Sequence, residues 1–363
     1  MSLQTLLKDQ LKNNEYLTLE QYMEQALYHP VFGYYMKQHQ KIGKKGDFYT
    51  SSSVSDVFGE VWASVFVRSI KSHKLDPIVV EFGGGNGNFA KQVIRAWNRE
   101  EDNELLSYII VEKSPYHRKL LKEELKNLPV KIFSTLDELM HIFPLFKGIV
   151  FANEVLDAFP LRIFQNRGEA WYEKVVGLDQ EDDGFEFQYV PTRDPYLIIH
   201  LNNLFTSRPI HFDLEVSFQM LEWLEDVYRW INEDALLFFV DYGYKNEQWS
   251  MESLKEGSVR GYFHHQIINN PLSHSGEMDI TYHVDWDQVE HTASKNNVET
   301  IAFHTQGDFL LKEGMLTYLT NSMQTDPFSA EHKRNRAIRS FLFDHTLANG
   351  FQVLQQQKNG SVN

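Results

Sequence analysis

An apolar run that ends in an acid and continues into alternating glycines constrains this chain more than any other stretch. Residues 79–90 read Val-Val-Glu-Phe-Gly-Gly-Gly-Asn-Gly-Asn-Phe-Ala, and a helical pattern begins at their end. The glycines at 83, 85 and 87 permit positive φ and let a bulky ligand lie against bare backbone. The stretch therefore predicts a strand, a turn and a helix that together form a cradle for a nucleotide-type ligand.

The spacing of these glycines narrows the kind of nucleotide. The dinucleotide fingerprint G-x-G-x-x-G requires a glycine at position 88, where this chain has Asn88. The pattern Glu-x-Gly-x-Gly-x-Gly at residues 81–87 is instead similar to the first motif of Rossmann-like methyltransferases that use S-adenosylmethionine. Glu112 closes the next apolar run, 112 − 87 = 25 residues past the last glycine, where a carboxylate can accept both ribose hydroxyls. The alternative is a strand-to-helix turn without a ligand, with Glu112 in solvent.

Composition excludes several classes of protein. Hydrophobic residues make up 42% of the 363 residues and aromatic residues 14%, enough for a packed core. The formal net charge of −15 argues against a nonspecific nucleic-acid binder, which would need a basic face. The chain has no cysteine, so it has neither disulfides, nor a thiolate metal site, nor a cysteine nucleophile.

The beginning of the chain and its hydropathy decide the expected location. The first ten residues, MSLQTLLKDQ, lack the apolar region of a secretory signal and the arginines of a transit peptide. No run approaches the ~20 apolar residues of a membrane helix. We therefore expect a cytoplasmic protein without a membrane partner, and the sequence is compatible with a homo-oligomer.

Apolar runs alternate with helical patterns through the middle of the chain, which is typical of parallel βαβ units. We expect an α/β fold with a Rossmann-like doubly wound sheet, inserted β-hairpin and helical substrate-binding elements. Residues 1–75 are interpreted as an N-terminal helical and hairpin extension that contributes to the cofactor pocket. Residues 76–363 are interpreted as the Rossmann-like domain, with insertions at about 160–213 and 243–345. The expected strands are 77–82, 107–112, 129–133, 147–152 and 235–241, and the expected helices lie near 87–100, 114–126 and 214–231.

Three shorter predictions concern local structure. An apolar stripe from Val54 to Val65 predicts a core-packed helix, with Ser53 and Asp56 as its capping pair. A β-hairpin is expected between residues 160 and 190, around the turn-like Asp-Asp-Gly at 182–184. Residues 243–285 show no clear periodicity, so we expect a functional loop or lid there.

Carboxylates are expected where two strands end. Glu154 and Asp157 follow the fourth strand and Asp241 follows the fifth, and ligands of open parallel sheets bind outside the carboxyl ends of the strands. Such an acidic wall suits a cationic acceptor such as a guanidinium, which carboxylates can bind in bidentate fashion and from which they can draw a proton. The alternative is that these acids cap a helix and a turn.

The histidines between residues 264 and 283 invite a metal interpretation. The nine-residue spacing of His265, His274 and His283 matches no compact ligand motif, so we expect no metal. A proton-relay role fits better than a metal, with His265 as the catalytic candidate, and the alternative is that these histidines only pack.

Six motifs together identify the chain as similar to a known family. They are Tyr28-His29-Pro30-x-x-Gly33-Tyr34-Tyr35, Gly46-Asp47-Phe48-Tyr49-Thr50-Ser51, Phe58-Gly59-Glu60, Asn153-Glu154-x-x-Asp157-Ala158-x-Pro160, Asp241-Tyr242-Gly243-Tyr244 and Gly276-Glu277-x-Asp279-Ile280-Thr281-x-His283-Val284-Asp285. Their order over nearly the whole chain resembles the MidA-like methyltransferase family. The resemblance implies an S-adenosyl-L-methionine-dependent protein methyltransferase, with arginine as the acceptor residue where one has been assigned.

The resemblance also implies roles for individual residues. Asn153, Glu154 and Asp157 would line the methyl-transfer site, and residues 260–285 would form an acceptor wall. The chain departs from the family at Gly84, where proline is common, and at Ser52 and Ser53, so the acceptor need not be the family's. The residues implied to hold the cofactor are Gly46, Thr50, Ser51, Glu81, Gly83, Gly85, Gly87, Glu112 and Asn153.

Three other functions remain as alternatives. An NAD-dependent oxidoreductase would share the fold, but the missing glycine at position 88 disfavours it. A non-catalytic or weakly catalytic assembly factor that binds a partner protein would explain the amount of sequence outside the nucleotide core. A small-molecule N-methyltransferase is also compatible, because an acidic crevice suits amines.

Overall fold

The computed structural model of the chain describes residues 2–39, 41, 43, 46–47, 51–99, 105–179, 181, 184–204, 208–321 and 326–360. The chain divides into two units. The core unit contains Gln40–Leu156, Glu225–Tyr242 and Ala293–Asn363, and the second unit contains Met1–His39, Asp157–Leu224 and Gly243–Thr292. The predicted N-terminal extension is therefore divided, because residues 40–75 belong to the core unit.

The strands of the described residues are numbered here in chain order. They are β1 (Leu17–Thr18), β2 (Ile78–Phe82), β3 (Ser107–Val111), β4 (Val130–Phe133), β5 (Ile149–Asn153), β6 (Arg162–Asn166), β7 (Trp171–Leu178), β8 (Phe185–Pro191), β9 (Asp213–Val216), β10 (Leu236–Tyr244), β11 (Arg260–Phe263), β12 (Gln266–Ile268), β13 (Asp279–Thr281), β14 (Val284–Asp285), β15 (Val298–Thr305) and β16 (Phe351–Lys358).

The α-helices are numbered in the same way. They are α1 (Leu3–Asn13), α2 (Leu19–Tyr28), α3 (Ser51–Val54), α4 (Val57–His73), α5 (Asn88–Trp97), α6 (Pro115–Glu124), α7 (Leu136–Ile142), α8 (Pro195–Leu204), α9 (Phe218–Trp230), α10 (Asn246–Trp249), α11 (Trp286–Lys295), α12 (Gln306–Lys312) and α13 (Ala330–Phe343). Short 3₁₀ turns cover Leu156–Ala158, Glu252–Leu254 and Met315–Tyr318, and His345–Gly350 forms a π-helical turn.

A twisted, mostly parallel sheet organises the core unit. Its strand order is β15-β16-β10-β5-β2-β3-β4. The pairs from β10 to β4 are parallel, whereas β16 is antiparallel to both β10 and β15. The order reverses between β2 and β5, so the doubly wound fold that we predicted is confirmed, and the carboxyl ends of β2 and β5 mark the switch point where such sheets bind ligands.

Aromatic side chains fill the core on one side of this sheet. Trp62 of α4 is fully buried, and its ring lies 4.8 Å from that of Phe151 in β5. Phe89, at the start of α5, stacks on the same Phe151 at 4.5 Å. The apolar stripe predicted for this helix is thus confirmed as core from Val57 onward, while Val54 is 37% exposed. This packing fixes the start of α5, and with it the end of the glycine loop.

The second unit is built from antiparallel strands. Its larger sheet has the order β1-β7-β6-β9, with β8 also paired to β7. The pairing of β7 with β8 confirms the predicted hairpin; Asp182 and Asp183 of its turn lie outside the described residues. A smaller sheet has the order β12-β11-β13.

Three local predictions differ from the structure. Leu214, which we assigned to a helix, lies in β9, where every residue is buried and no alternation distinguishes a strand from a helix. Asp56 makes no cap hydrogen bond with α4, because its carboxylate accepts one from Gln92 Nε2 at 3.1 Å. Residues 243–285 contain β11 to β14, which are too short to give a periodic signal. No described helix combines the length and the apolarity that a membrane span requires.

Candidate functional site

The glycine loop lies between β2 and α5. Gly83, Gly85 and Gly87 have φ values of +71°, +52° and +78°, a region that residues with a side chain rarely adopt. A Cβ added to Gly83 would lie 2.6 Å from Val155 Cγ2. The prediction that these glycines permit positive φ is therefore confirmed, and bare backbone lines the carboxyl end of β2.

Glu112 directly follows β3 and its carboxylate lies against this loop. Its Oε2 accepts a hydrogen bond from the Gly85 N–H at 3.1 Å, and its Oε1 accepts one from the Ser114 N–H at 2.8 Å. Burial raises the pKa of Glu112, and the bonds from Ser114 and Gly85 oppose that shift. Both oxygens of the carboxylate therefore accept backbone hydrogen bonds around the loop.

Glu81, the acid before the glycines, is only 4% exposed. The hydroxyl of Tyr108 donates a hydrogen bond to its Oε2 at 2.8 Å. The pKa of Glu81 is raised from 4.5 to about 8: burial is the largest cause, the Tyr108 hydrogen bond opposes it, and the charge of Glu112 adds to it. At neutral pH the buried Glu81 carboxyl group is therefore mostly protonated.

A small cavity of about 40 Å³ lies at this position in the core unit. Gly83, Gly84 and Gly85 line it, so bare backbone faces the cavity. The residues that line the cavity are Ser52, Glu81, Gly83, Gly84, Gly85, Asn86, Phe89 and Asn153.

Asn153 and Glu154 stand at the carboxyl end of β5, on the other side of the switch point. Glu154 has a φ of +56°, a conformation that costs a residue with a side chain roughly 1–2 kcal/mol and that is found preferentially at functional sites. Its Oε1 accepts hydrogen bonds from the Ser51 N–H at 3.3 Å and from Asn153 Nδ2 at 3.0 Å. The structure therefore brings together Ser51, Asn153 and Glu154, as predicted from their motifs.

Two buried polar atoms at this position fit a bound ligand. Ser51 Oγ and Asn153 Oδ1 have no hydrogen-bond partner among the described residues. Buried polar atoms are nearly always satisfied, so a polar ligand is the simplest partner for them. Together with the bare loop, these atoms give the core unit groups suited to an adenosine and an amino acid.

Asp241 lies inside β10 and not at its end, because β10 continues to Tyr244. Its Oδ2 accepts hydrogen bonds from the N–H groups of Val155 at 3.1 Å and Leu156 at 3.0 Å, and its Oδ1 accepts one from the Tyr242 N–H. Asp241 is 1% exposed. This geometry makes it a support for the turn after Glu154, which differs from the predicted acidic wall.

Asp157 belongs to the second unit. Its Oδ2 accepts a hydrogen bond from Thr281 Oγ1 at 2.7 Å, and the carbonyl of the next residue, Ala158, accepts one from the Tyr28 hydroxyl at 2.8 Å. Asp157 is 6% exposed. Its carboxylate is therefore held in place by a residue of the 276–285 motif.

Three further residues were predicted to belong to the site: His265, Gly46 and Thr50. His265 is exposed in the two-residue loop between β11 and β12 and has a φ of +61°, so its catalytic role stays a prediction. The Gly46 N–H donates a hydrogen bond to the Gly43 carbonyl at 2.8 Å. Thr50 lies outside the described residues.

Two residues near Glu81 and Glu112 were missed by the sequence reasoning. Tyr108 is the second residue of β3, and its hydroxyl donates a hydrogen bond to Glu81. In the sequence it is one member of an apolar run, so nothing indicates this role. Lys41 is 1% exposed, its ammonium group lies 4.4 Å from the centre of the Tyr116 ring, and its charge lowers the pKa of Glu112. A lysine in a polar, glycine-containing segment is ordinarily exposed, so the sequence did not indicate that Lys41 is buried.

Curated relatives align with most of this chain. A Danio rerio protein named "Protein arginine methyltransferase NDUFAF7, mitochondrial" is 27% identical over 328 residues, which cover 82% of this chain and 73% of the relative. The Drosophila melanogaster homologue is 27% identical over 81% of this chain and 70% of its own length. The Homo sapiens protein is 25% identical, and the alignment covers 84% of this chain and 71% of the human protein. All three are named mitochondrial, so the expected cytoplasmic location is wrong by this comparison.

Two solved structures from Burkholderia thailandensis share the fold. One, bound to S-adenosyl-homocysteine, has a TM-score of 0.85 and 24% identity, and covers 99% of this chain and 92% of its own. The other, a native structure, has a TM-score of 0.81 and 23% identity, and covers 99% of this chain and 93% of its own. The whole architecture, second unit included, therefore recurs in another protein.

The family is decided by the sequence itself. Residues 61–304 match the family described as "Putative S-adenosyl-L-methionine-dependent methyltransferase", which is more than half of the 363 residues. The resemblance read from the six motifs is thus confirmed. The chain belongs to this family of S-adenosyl-L-methionine-dependent methyltransferases and is an enzyme with that cofactor.

Proposed function

We propose that this enzyme methylates a nitrogen of an arginine side chain in a protein acceptor. The observation that carries the proposal is the alignment of more than four fifths of the chain with relatives named protein arginine methyltransferases. Carboxylates that follow β5 support it, because Glu154 and Asp157 suit a planar cation. The formal charge of −15 also favours association with a basic segment.

We assign the cofactor to the core unit. S-adenosyl-L-methionine supplies an electrophilic methyl group on a positively charged sulfur. Gly83, Gly85 and Gly87 would give its adenosine bare backbone, and the carboxylate of Glu112 would accept its ribose hydroxyls. Ser51 Oγ and Asn153 Oδ1, which lack partners among the described residues, would bind its polar groups. These assignments rest on the positive φ of the loop and on those two atoms.

We assign the acceptor to the carboxylates. A guanidinium is a poor nucleophile until one nitrogen loses its proton or shares it with a base, and its plane must be oriented toward the methyl group. Glu154, in its strained conformation, would accept the proton. Asp241 is assigned a structural role, since both of its oxygens accept backbone hydrogen bonds.

The proposal is tested with methyl-tritiated S-adenosylmethionine and total protein from source cells that lack the gene. We expect the purified enzyme to label protein, and mass spectrometry of hydrolysed protein to find the label on methylated arginine. The control is Glu154→Gln, which should bind S-adenosyl-homocysteine normally in calorimetry while it transfers little label.

Other outcomes would decide against the proposal in distinct ways. Label on lysine, or only on small molecules, would contradict the arginine acceptor. Equal labelling by the wild type and by Glu154→Gln would remove Glu154 from the chemistry. Cofactor binding without any transfer would favour an assembly factor that binds its partner without methylating it.

A further inference from the structure

Helix α13 of the core unit is fixed on one face and open on the other. Its buried face includes Ile338 and Phe341, and the Phe341 ring stacks on that of Phe58 at 5.4 Å. Arg334 adds to this attachment, because its guanidinium pairs with the carboxylate of Glu60. The helix is therefore part of the core, and substitutions on its open face leave that packing intact.

Three basic residues lie along the open face and form what we term the basic stripe. Lys333, Arg336 and Arg339 are exposed and follow one another at intervals of three residues, so each is a neighbour of the next on the helix surface. Among the residues that the structure describes, no carboxylate pairs with any of the three. The Arg336 guanidinium donates a hydrogen bond to the Pro327 carbonyl at 2.6 Å, which leaves its charge uncompensated.

The acids nearest in the sequence do not pair with the basic stripe. Asp326, before the helix, accepts a hydrogen bond from the Phe328 N–H at 2.9 Å, and Asp344, after it, accepts bonds from the backbone of the following turn. Glu331 is two residues from Lys333 and so lies about 160° from it around the helix. The stripe is thus a local positive region on a chain with a formal net charge of −15.

An exposed phenylalanine stands at each end of the helix. Phe328 precedes it and is 72% exposed, and Phe343, its last residue, is 73% exposed. Phe343 follows Arg339 by four residues and so lies on the same side of the helix. A single exposed apolar side chain needs no explanation, but arginine and aromatic residues together supply most of the binding energy in protein interfaces. Two phenylalanines around unpaired arginines therefore indicate a binding surface.

We propose that the basic stripe, Phe328 and Phe343 form a docking surface for an acidic segment of a partner protein. Charge complementarity selects this occupant, because carboxylates at helical spacing would meet the three cations and arginine binds a carboxylate in bidentate fashion. Apolar residues about 20 Å apart, the length of the helix, would cover the two phenylalanines. The inference goes beyond the proposed function and does not depend on arginine methylation.

Two other occupants fit this surface less well. A second copy of the chain, docked through the same face about a two-fold axis, would place one basic stripe against another, because such an interface uses the same patch on both subunits. An anionic bilayer is a broad surface, so it would also meet the remaining surface of a chain with a charge of −15, and lipid recognition typically takes about four to eight basic residues. A short acidic segment contacts the stripe alone.

The test measures the binding of a labelled peptide to the full chain. The probe is a fluorescein-labelled, alanine-based helical peptide with glutamate at every third position and a leucine at each end, and its twin has lysine in place of glutamate. We expect fluorescence anisotropy to show binding of the glutamate peptide alone, with an affinity that falls as salt increases. Arg336→Glu should weaken this binding at least about 10-fold, because it sets a like charge against the carboxylates. Phe343→Ser should weaken it about 5-fold or more.

Arg95→Glu is the matched control. Arg95 is an exposed arginine on α5 of the same unit, and within the described parts of the chain no carboxylate pairs with it. The substitution changes the net charge as Arg336→Glu does, and it should leave peptide binding unchanged. Thermal melting by circular dichroism is recorded for each variant. If Arg336→Glu does not fold, Arg339→Glu replaces it, with the same weakening expected.

The possible outcomes lead to different conclusions. Absence of peptide binding by the wild type, or equal affinities of the wild type and Arg336→Glu, would overturn the inference. Sedimentation of the wild type with vesicles of phosphatidylcholine and phosphatidylglycerol, without any binding of the peptide, would assign the surface to a membrane and also overturn it. A failure to label arginine in the methyl-transfer assay would overturn the proposed function alone, because peptide binding requires no methyl transfer.

Discussion

The carboxylate of Glu112 is hydrogen-bonded to the backbone N–H of Gly85, 27 residues before it in the chain, at 3.1 Å. The bond joins the end of β3 to the loop after β2, two strands that pair in parallel. The acid that we assign to the ribose therefore also holds the glycine loop. If the ribose binds as we propose, cofactor binding and loop conformation are coupled through this single side chain.

Replacement of Glu112 by alanine should weaken the binding of S-adenosyl-homocysteine by about 10- to 100-fold, because two hydrogen bonds to a carboxylate are lost. Calorimetry measures the dissociation constant. Glu123→Ala, an exposed glutamate on α6, is the control and should bind normally. Wild-type affinity in Glu112→Ala would show that the ribose lies elsewhere.

The glycine loop makes a prediction about stability. Gly83→Ala places a Cβ 2.6 Å from Val155 Cγ2 at a φ of +71°, whereas Gly168 has a φ of +92° and nothing within 4 Å of the added Cβ. Gly168→Ala should therefore cost only the conformational strain, about 1–2 kcal/mol. Gly83→Ala should cost that strain and a further 1–3 kcal/mol for overpacking. Urea unfolding measures both, and equal losses would contradict the close contact seen at Val155.

The fold and the glycine loop could be predicted because their signals are local. Positive φ selects glycine at positions 83, 85 and 87 whatever the rest of the chain does, and buried parallel strands appear as apolar runs. Leu214 shows the limit of this reasoning, since its buried strand has no alternation. The strands of residues 243–285 show it too, because two to four residues cannot establish a period.

The details of the site depend on contacts between distant residues. Asp241 bonds the N–H groups of Val155 and Leu156, 86 and 85 residues away, so nothing near it in the sequence reveals that its oxygens are occupied. The same holds for Thr281, which is 124 residues from Asp157. Only the three-dimensional structure shows that the Asp241 carboxylate supports the backbone of Val155 and Leu156.

This separation between supporting and reacting acids can be measured. Asp241→Asn replaces an acceptor oxygen with an amide that faces backbone donors, so it should lower the free energy of unfolding by about 2–4 kcal/mol. Glu154→Gln keeps an acceptor oxygen for the Ser51 N–H and should change stability by less than about 0.5 kcal/mol, while it lowers methyl transfer at least ~100-fold. Urea unfolding and tritium transfer are measured on both variants. If Asp241→Asn were as stable as the wild type but inactive, Asp241 would have a catalytic role and not a structural one.

The buried Glu81 makes a prediction about pH. Its pKa is about 8 in the folded protein, against an ordinary value of 4.5, so between these values the unfolded chain releases a proton that the folded protein keeps. Stability must then fall as pH rises from about 4.5 to 8, by at most about 1.4 kcal/mol per pH unit from this group. Below pH 4.5 both states hold the proton, and the group has no effect on the slope. Burial is the main cause of the shift.

Glu81→Gln removes this titration, and Tyr108→Phe removes the hydrogen bond that lowers the pKa of Glu81. We therefore expect the glutamine variant to lose less stability than the wild type between pH 5 and pH 8, so that its relative stability increases with pH. In Tyr108→Phe the loss should extend to higher pH, because the carboxyl group keeps its proton longer. Urea unfolding at pH 5, 6, 7 and 8 measures the slopes, and the difference between variant and wild type removes the contribution of other buried acids such as Glu112. Parallel slopes for the wild type and Glu81→Gln would mean that Glu81 is ionised in the folded protein, which would require a cation beside it.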